Sequence, residues 1–490
     1  MEQETYGHDT FLSPFTWRYG SQEMRRLWSE KHKRRLWRQV WVALAEAQHA
    51  AGLVSEAELD DLRAHQDEVD IARAHQIEAE IGHDLMAEIR AYAEQCSIGG
   101  GKIHLGATSA DVEDNADILR MKEALRLIRQ RLISLLEALA AQVERYQDLP
   151  AMGYTHLQPA EPTTLGYRLC QYAQDLLMDL QSLDSLMKNL KGKGMKGAVG
   201  TSTSYAQLLK GSEIRPAELE RLVMEKLELE AMPVSTQVYP RKQDFLVLNT
   251  LASIAQSLHR FAFDLRVLHA APYGEMGEPF GAKQVGSSAM PFKRNPVTTE
   301  NICSLARYLS TLPKVAWDNA ALSLLERTLD DSGNRRVILP EAFLALDEML
   351  IAARRVVMGL VVHRENIERN LSTYGVFAAT ETLLMELVKA GADRQEMHER
   401  IRQHSMAAWG AIQRGEENPL IERLSRDSAL VAFLPAERIG ELLDVVNFVG
   451  DAPARCAKFL RLLRVRLAET WIEGESPGVG ERFRPKVPGI

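Results

Sequence analysis

The chain has 490 residues, too many for one small core, so two to four domains or one long helical body with appendages is the frame. Hydrophobic residues make up 46% and charged residues 26%, the profile of an ordinary globular protein, and a net charge of -8 argues against nucleic acid as the partner. Four scattered cysteines (Cys96, Cys170, Cys303, Cys456) form no C-x-x-C pair, which points to a reduced cytoplasmic setting without structural zinc.

Met1 to Thr10 is polar and acidic, with neither the apolar run of a signal peptide nor an arginine-rich transit pattern. No uncharged apolar run reaches membrane-spanning length, so no membrane partner is expected. Residues 1–108 read as a domain of shorter helices. Residues 109–363 read as a bundle of unusually long ones. Leu125, Ile128, Leu132, Leu135, Leu139 and Val143 share one face between Ile118 and Asp148, a helix about 45 Å long. A further apolar segment runs from Thr164 to Leu190. Val247, Leu251, Ile254, Leu258, Phe261, Leu265 and Leu268 alternate spacings of four and three, a seven-residue repeat that marks a bundled helix. Two more helices are expected over about Pro296–Val315 and Asn334–Val362. Met232 to Tyr239 is the stretch that looks extended. Residues 364–490 read as short helices with loops near Gly391 and Gly415, ending in an irregular tail from Ser476 to Ile490. The fold class is all-α, and long apolar seams favour oligomerisation through shared helices.

Polar clusters punctuate these helices. Arg18-Tyr19-Gly20-Ser21 is a candidate anion contact, with Ser21 alternatively a helix cap. Gly82-His83-Asp84 lies in a weakly helical stretch, where a solvated pair is the plainer interpretation. Thr108, Ser109 and Asp111 open the first long helix, whose free N–H groups and hydroxyls suit either a carboxylate ligand or a plain N-cap. His156, between Pro150 and Pro159, serves either as proton donor and acceptor near pH 7 or as a cap. Lys191 to Ser204 is glycine-rich and basic without Walker spacing, so it is either an anion-contacting turn or a connector. Glu326 to Arg336 packs three arginines, suited to phosphate or carboxylate or to a surface ion-pair cluster. Gly286-Ser287-Ser288-Ala289-Met290-Pro291-Phe292-Lys293-Arg294-Asn295-Pro296 concentrates hydroxyls, cations and an amide on a loop, the composition of a lid that carries chemistry.

That last run resembles the signature of the fumarase/aspartase superfamily, G-S-S-x-M-P-x-K-x-N-P. Within it the chain is most similar to the adenylosuccinate lyase family, through RYGSQEM at Arg18, HLGATSADVEDN at His104, GYTHLQPAEPTT at Gly153, KGAVGTSTS at Lys196, TQVYPRKQD at Thr236 and ERTLDDSGNRR at Glu326. The resemblance implies a fumarase/aspartase-like fold and a β-elimination that splits adenylosuccinate into AMP and fumarate, and SAICAR into AICAR and fumarate. It implies no metal or organic cofactor, and a homotetramer in which three subunits build each active site.

By the same resemblance Ser287 is the base, His156 the general acid and Glu300 the carboxylate that orients it. Lys293 and Asn295 hold the fumarate moiety, and His83 is a second histidine at the substrate beside Asp84. Thr108 and Ser109 meet the succinyl carboxylate and Gln237 gives an amide contact. Arg18, Tyr19, Arg327, Ser332 and Arg336 form the nucleotide and phosphate set. Two departures stand out: Gly82 where relatives often carry Lys or Arg, and Asn301 where some carry Arg. A sister lyase acting on argininosuccinate, or a non-catalytic scaffold of the lens-crystallin kind, are the alternatives. The arginine-rich segments argue against the first, and retention of base, acid and cation against the second.

Overall fold

The computed structural model describes residues 7, 9–445 and 448–472. The Ser476–Ile490 tail falls outside them. The chain divides into two compact units. One comprises Met1–Leu132, Met178–Asp264 and Gly286–Val356; the other comprises Ile133–Leu177, Leu265–Val285 and Val357–Ile490.

About 67% of the described residues are helical. The longest helix, Ser109–Tyr146, has 38 residues, and the others that dominate the middle of the chain are Leu165–Asn189, Lys242–His269 and Asp330–Met358. The expected seams are the buried ones. Leu125, Ile128, Leu132, Val143, Val247, Leu251, Ile254 and Leu258 are all fully enclosed. Burying each such side chain is worth about 1.5–3 kcal/mol, so the seven-residue spacing places the core.

Four local expectations change. The segment expected as one helix from Pro296 is two, Val297–Leu309 and Leu312–Ala321, broken at Ser310-Thr311, whose hydroxyls bond back to the carbonyls of Arg307 and Tyr308. After residue 364 short helices such as Leu420–Ser425 and Ala436–Leu442 do occur, but the region opens with two long ones, Arg364–Lys389 of 26 residues and Arg394–Gln413 of 20, separated at Gly391, which takes φ 97°. Residues Met232–Tyr239 form bends rather than a strand, because their neighbour offers a single parallel bridge, Gly192 to Ala231. The true β-structure lies where a helix break was expected. Pro150–Thr155 pairs antiparallel with Gln158–Thr164, with an irregularity between Met152 and Tyr154.

In the second unit, Met152 of this hairpin joins a core with Leu371, Leu383, Leu387 and Leu424. In the first, Ala74 and Ile77 pack on Ala87 and Ala91, setting the helix Ile71–Ile81 against Asp84–Gln95.

Candidate functional site

The first unit holds a cavity of about 470 Å³. Three of its predicted residues, His83, Asp84 and Ser109, come from two helix starts. Gln237, Arg327, Ser332 and Arg336 come from segments more than a hundred positions later.

Each start has a local cause. Gly82 closes the helix Ile71–Ile81 in the left-handed region at φ 68°, a conformation that costs a side-chain-bearing residue roughly 1–2 kcal/mol. The 82–84 segment is therefore a break between helices and not a weakly helical stretch, and the departure at Gly82 has a backbone reason. His83 is the N-cap of the next helix, its Nδ1 accepting from the Met86 N–H at 3.4 Å. Asp84 accepts from its Leu85 neighbour's N–H at 2.8 Å and from Arg336 at 2.6 Å. Burial works against its ionisation, yet Arg336 holds the carboxyl below the ordinary range.

Beneath these lies a buried ionic network. Arg241 donates to Asp114 through both terminal nitrogens at 3.1 Å and to Asp331 through Nε at 2.5 Å. Arg335 reaches Asp244 at 2.7 Å, the Tyr239 hydroxyl at 2.7 Å and Asp117 at 3.2 Å. Arg327 bonds Asp331 at 2.7 Å and remains 22% exposed, so its guanidinium is partly available. Arg336, at 57%, is more available still. The predicted arginine cluster thus splits: Arg327 and Arg336 face the cavity with capacity to spare, whereas Arg335 is structural. Glu113, also on the wall, is pushed up to about 7 by burial and by Asp84, Asp114 and Asp117, with Arg336 pulling the other way.

The Lys191–Ser204 turn does contact an anion, an internal one. Asp111 accepts from the Lys193 ammonium, from the N–H groups of Thr108, Lys196 and Gly197 at 3.1 Å, and from the Tyr205 hydroxyl at 3.1 Å. Lys193 and Asp111 are fully buried. Thr108 is fixed by this carboxylate at the mouth of the long helix and is not part of the cavity wall.

Ser287, Lys293 and Asn295 also belong to the first unit but not to the cavity wall. They lie on a loop running to the helix Val297–Leu309. Ser287 Oγ accepts from the N–H groups of Ala289 at 3.3 Å and Met290 at 3.1 Å, and Asn295 Nδ2 donates to the Gly286 carbonyl at 2.9 Å. Lys293 is exposed, and so is Glu300, in the first turn of that helix. Arg18 follows the short helix Pro14–Trp17, its guanidinium 5.8 Å from the Trp17 ring centre and 5.7 Å from that of Tyr19. Ser21 is an N-cap, accepting from the Met24 N–H at 3.1 Å.

His156 belongs to the second unit, at the tip of the hairpin, and is exposed. It is no helix cap. His156 and Leu157 have φ 54° and 60°, the signs of a two-residue type I′ turn. Turns of this kind ordinarily use Asn-Gly, so His-Leu stores backbone strain, a mark of functional positions. The hairpin is braced from below. Tyr154 Oη donates to Glu275 at 2.8 Å, Arg168 bridges Glu275 at 2.9 Å and the Met152 carbonyl at 2.5 Å, and Asn370 donates to Glu275 at 3.0 Å. Tyr273 Oη holds the Leu157 carbonyl at 3.1 Å.

Among the described residues, Asp61, His65 and Cys96 bring three ligand-type atoms within 4.8 Å of one another. Asp61 already accepts from Ile98 and Gly99 N–H groups at 2.7 and 2.8 Å, and burial with the Asp61 charge pushes the Cys96 thiol up to about 12. This group clasps a loop.

Residues 14–309 match a protein family described as Lyase, and residues 377–459 match one described as Adenylosuccinate lyase C-terminus. The adenylosuccinate lyase of Saccharomyces cerevisiae is 40% identical over 93% of this chain and 95% of its own length. That of Schistosoma mansoni is 37% identical over 92% and 94%, and that of Pyrococcus horikoshii 37% identical over 90% and 95%. The chain belongs to the adenylosuccinate lyase family. Solved structures agree on the fold: a 3-carboxy-cis,cis-muconate lactonizing enzyme from Pseudomonas putida matches with TM-score 0.82 at 24% identity, covering 93% of this chain and 99% of that one. A fumarate lyase from Mesorhizobium sp. BNC1 matches with TM-score 0.79 at 24% identity, covering 90% and 98%.

For an adenylosuccinate lyase family member, sequence reasoning missed Glu113, Asp114, Asp117 and Arg241 on the cavity wall, and offered Arg335 as an anion contact although its partners are internal. A signal existed for the acids. Ser109, Glu113 and Asp117 recur every fourth residue after a helix start, which puts them on one face.

Proposed function

We propose that this chain is an adenylosuccinate lyase, cleaving a C–N bond by β-elimination to release fumarate from adenylosuccinate, leaving AMP, and from SAICAR, leaving AICAR. The observation that carries the reading is near-full-length similarity to adenylosuccinate lyases of several organisms, joined to a cavity walled by arginines with unspent donors.

The chemistry assigns the roles. A proton leaves the carbon beside a carboxylate, and negative charge builds on that carboxylate in the transition state. Donors aimed there are the largest catalytic term, each worth roughly a hundred- to a thousandfold. Lys293 and Asn295 supply them. Ser287 takes the proton. A serine is a base only if its anion is stabilised, and the two N–H groups already directed at Oγ support that assignment. His156 protonates the departing nitrogen, oriented by Glu300, a transfer worth ~10²–10⁴. His83 contacts the substrate beside Asp84. Thr108 and Ser109 meet the succinyl carboxylate, and Gln237 reads an amide-sized group. Arg327, Ser332 and Arg336, with Arg18 and Tyr19, take the nucleotide phosphate.

The functional unit is a homotetramer acting in the cytoplasm in purine biosynthesis, with three subunits contributing to each site. Exposed apolar side chains on the long helices support assembly: Met178, Phe263 and Val337 are 58%, 51% and 49% exposed. The deciding assay measures fumarate release from adenylosuccinate, SAICAR and argininosuccinate side by side after dialysis against a chelator. Release from the first two sustains the proposal. Release from argininosuccinate alone, or a strict metal requirement, overturns it.

A further inference from the structure

The helix Ser109–Tyr146 lays one face along the cavity, with Ser109, Glu113, Asp117 and Arg120 at spacings of four, four and three. The other wall carboxylates are paired with arginines. Glu78 meets Arg34 at 3.4 Å, and Asp84 meets Arg336 at 2.6 Å. Asp114 meets Arg241 at 3.1 Å, and Asp117 meets Arg335 and Arg120 at 3.2 Å. Glu113 makes no hydrogen bond and no ion pair among the described residues, although it is only partly exposed.

The charges facing it explain why. Three acids surround it, Asp84 at the start of the neighbouring helix and Asp114 and Asp117 on its own. Of the wall cations, Arg336, which holds Asp84 at 2.6 Å and stays 57% exposed, draws Glu113 the other way, and the rest have acid partners of their own. Lys33 holds Glu30 at 2.8 Å, Arg241 and Arg327 hold Asp331, and Arg335 holds Asp244. His83 uses Nδ1 on the Met86 N–H. An ionised Glu113 would meet like charge on its own helix and across the gap, in a cavity whose other groups attract anions.

We propose that Glu113 is a substrate-binding residue of this site: it meets the substrate protonated and donates its O–H to an anionic oxygen of the phosphate or of a carboxylate. The inference rests on the adenylosuccinate lyase reading and deepens it. A carboxylate beside a bound anion repels it, whereas a carboxylic acid adds a short, directed hydrogen bond. Burial and the three acids already push Glu113 up to about 7, so about half of it carries the proton at pH 7 and most of it does below that. Affinity for the substrate therefore falls as pH rises through that value. The phosphate of the substrate also titrates, near 6, but does so identically with any enzyme variant and cancels in a comparison.

The test compares the full chain with Glu113→Gln and Glu113→Ala. Glutamine keeps a donor at the same place and cannot ionise. KM for adenylosuccinate in the unaltered chain is expected to rise about 25-fold between pH 6.5 and 8.5, from single-proton linkage at about 7. In Glu113→Gln the rise is expected to shrink below about threefold, and Glu113→Ala raises KM at pH 6.5, where the donor is otherwise present. Inhibition by AMP and by fumarate at both pH values separates the phosphate oxygen from the carboxylate oxygen. A rise in Ki that Glu113→Gln removes for either probe supports the proposal and names the partner. An identical pH dependence in the unaltered chain and Glu113→Gln, for KM and for both probes, overturns it. Calorimetric binding of AMP at the two pH values keeps this outcome separate from the reaction itself: absence of fumarate release defeats the lyase reading, whereas pH-independent AMP and fumarate binding defeats the role of Glu113.

Discussion

Replacing Asp111 by alanine should cost more stability than removing any predicted substrate contact. Among the described residues its carboxylate is the counter-charge of the buried Lys193 ammonium, and both groups are fully enclosed. Removing one partner of such a pair costs about 3–5 kcal/mol, because the surviving charge stays buried. The same substitution strips the acceptor from the N–H groups of Thr108, Lys196 and Gly197 and from the Tyr205 hydroxyl. Each buried donor left without a partner costs about 1–3 kcal/mol, less where water enters. Domains are stable by only about 5–15 kcal/mol, so Asp111→Ala should lose at least about 4 kcal/mol and sit at the edge of folding. Asp111→Asn with Lys193→Met removes both charges and keeps an acceptor, and should recover part of that loss. Urea unfolding followed by circular dichroism, with slopes compared, reads both quantities. A loss below about 1 kcal/mol in Asp111→Ala, or a double variant no better than the single, would refute the reasoning.

Ser287→Ala should abolish fumarate release and leave helix content unchanged; near-normal turnover would reject Ser287 as the base. Mixing it with His156→Gln should restore part of the activity if each site draws on several chains, and no recovery on mixing would speak against shared sites. Burial holds the His104 imidazole neutral, down to about 4, with Asp111 opposing and His83 adding to the shift. Because that value lies below the ordinary one of 6.5, the stability it contributes is present above 6.5 and lost as pH falls toward 4, by about 3 kcal/mol at most. His104→Asn tolerates the same φ of 67° without titrating, so its urea midpoint should fall less between pH 7 and 5 than that of the unaltered chain. Glu275→Ala should leave Arg168 buried without its carboxylate and cost about 3–5 kcal/mol, read by thermal unfolding; a change within 0.5 kcal/mol would show the brace to be dispensable.

The helical core could be read directly because its signal is local and periodic. Leu251 and Leu258 lie one heptad apart, and both are fully buried. The Pro150–Thr164 hairpin could not, since Pro159 and Pro162 resemble helix stops and the strand lacks alternating β-branched residues. Extended composition at Met232–Tyr239 misled for the opposite reason: a strand requires a partner, which no local pattern supplies. At the cavity, His83, Ser109, Gln237 and Arg336 were found because they sit in recognisable motifs. The acid–arginine pairings between them were not, because Asp114 and Arg241 are 127 positions apart and Asp117 and Arg335 are 218 apart. The different fates of Arg335 and Arg336, adjacent in the chain, depend on which face of one helix each occupies.

The hairpin's tip has a bearing on how portable its histidine is. A turn of two side-chain-bearing residues in the left-handed region does not favour itself, so the peptide Pro150–Thr164 in isolation would open. The imidazole's placement is on loan from Arg168, just past the hairpin, and from Glu275 and Tyr273, which lie far along the chain from it. Transplanting the loop to another scaffold would carry the side chain across and leave its coordinates behind.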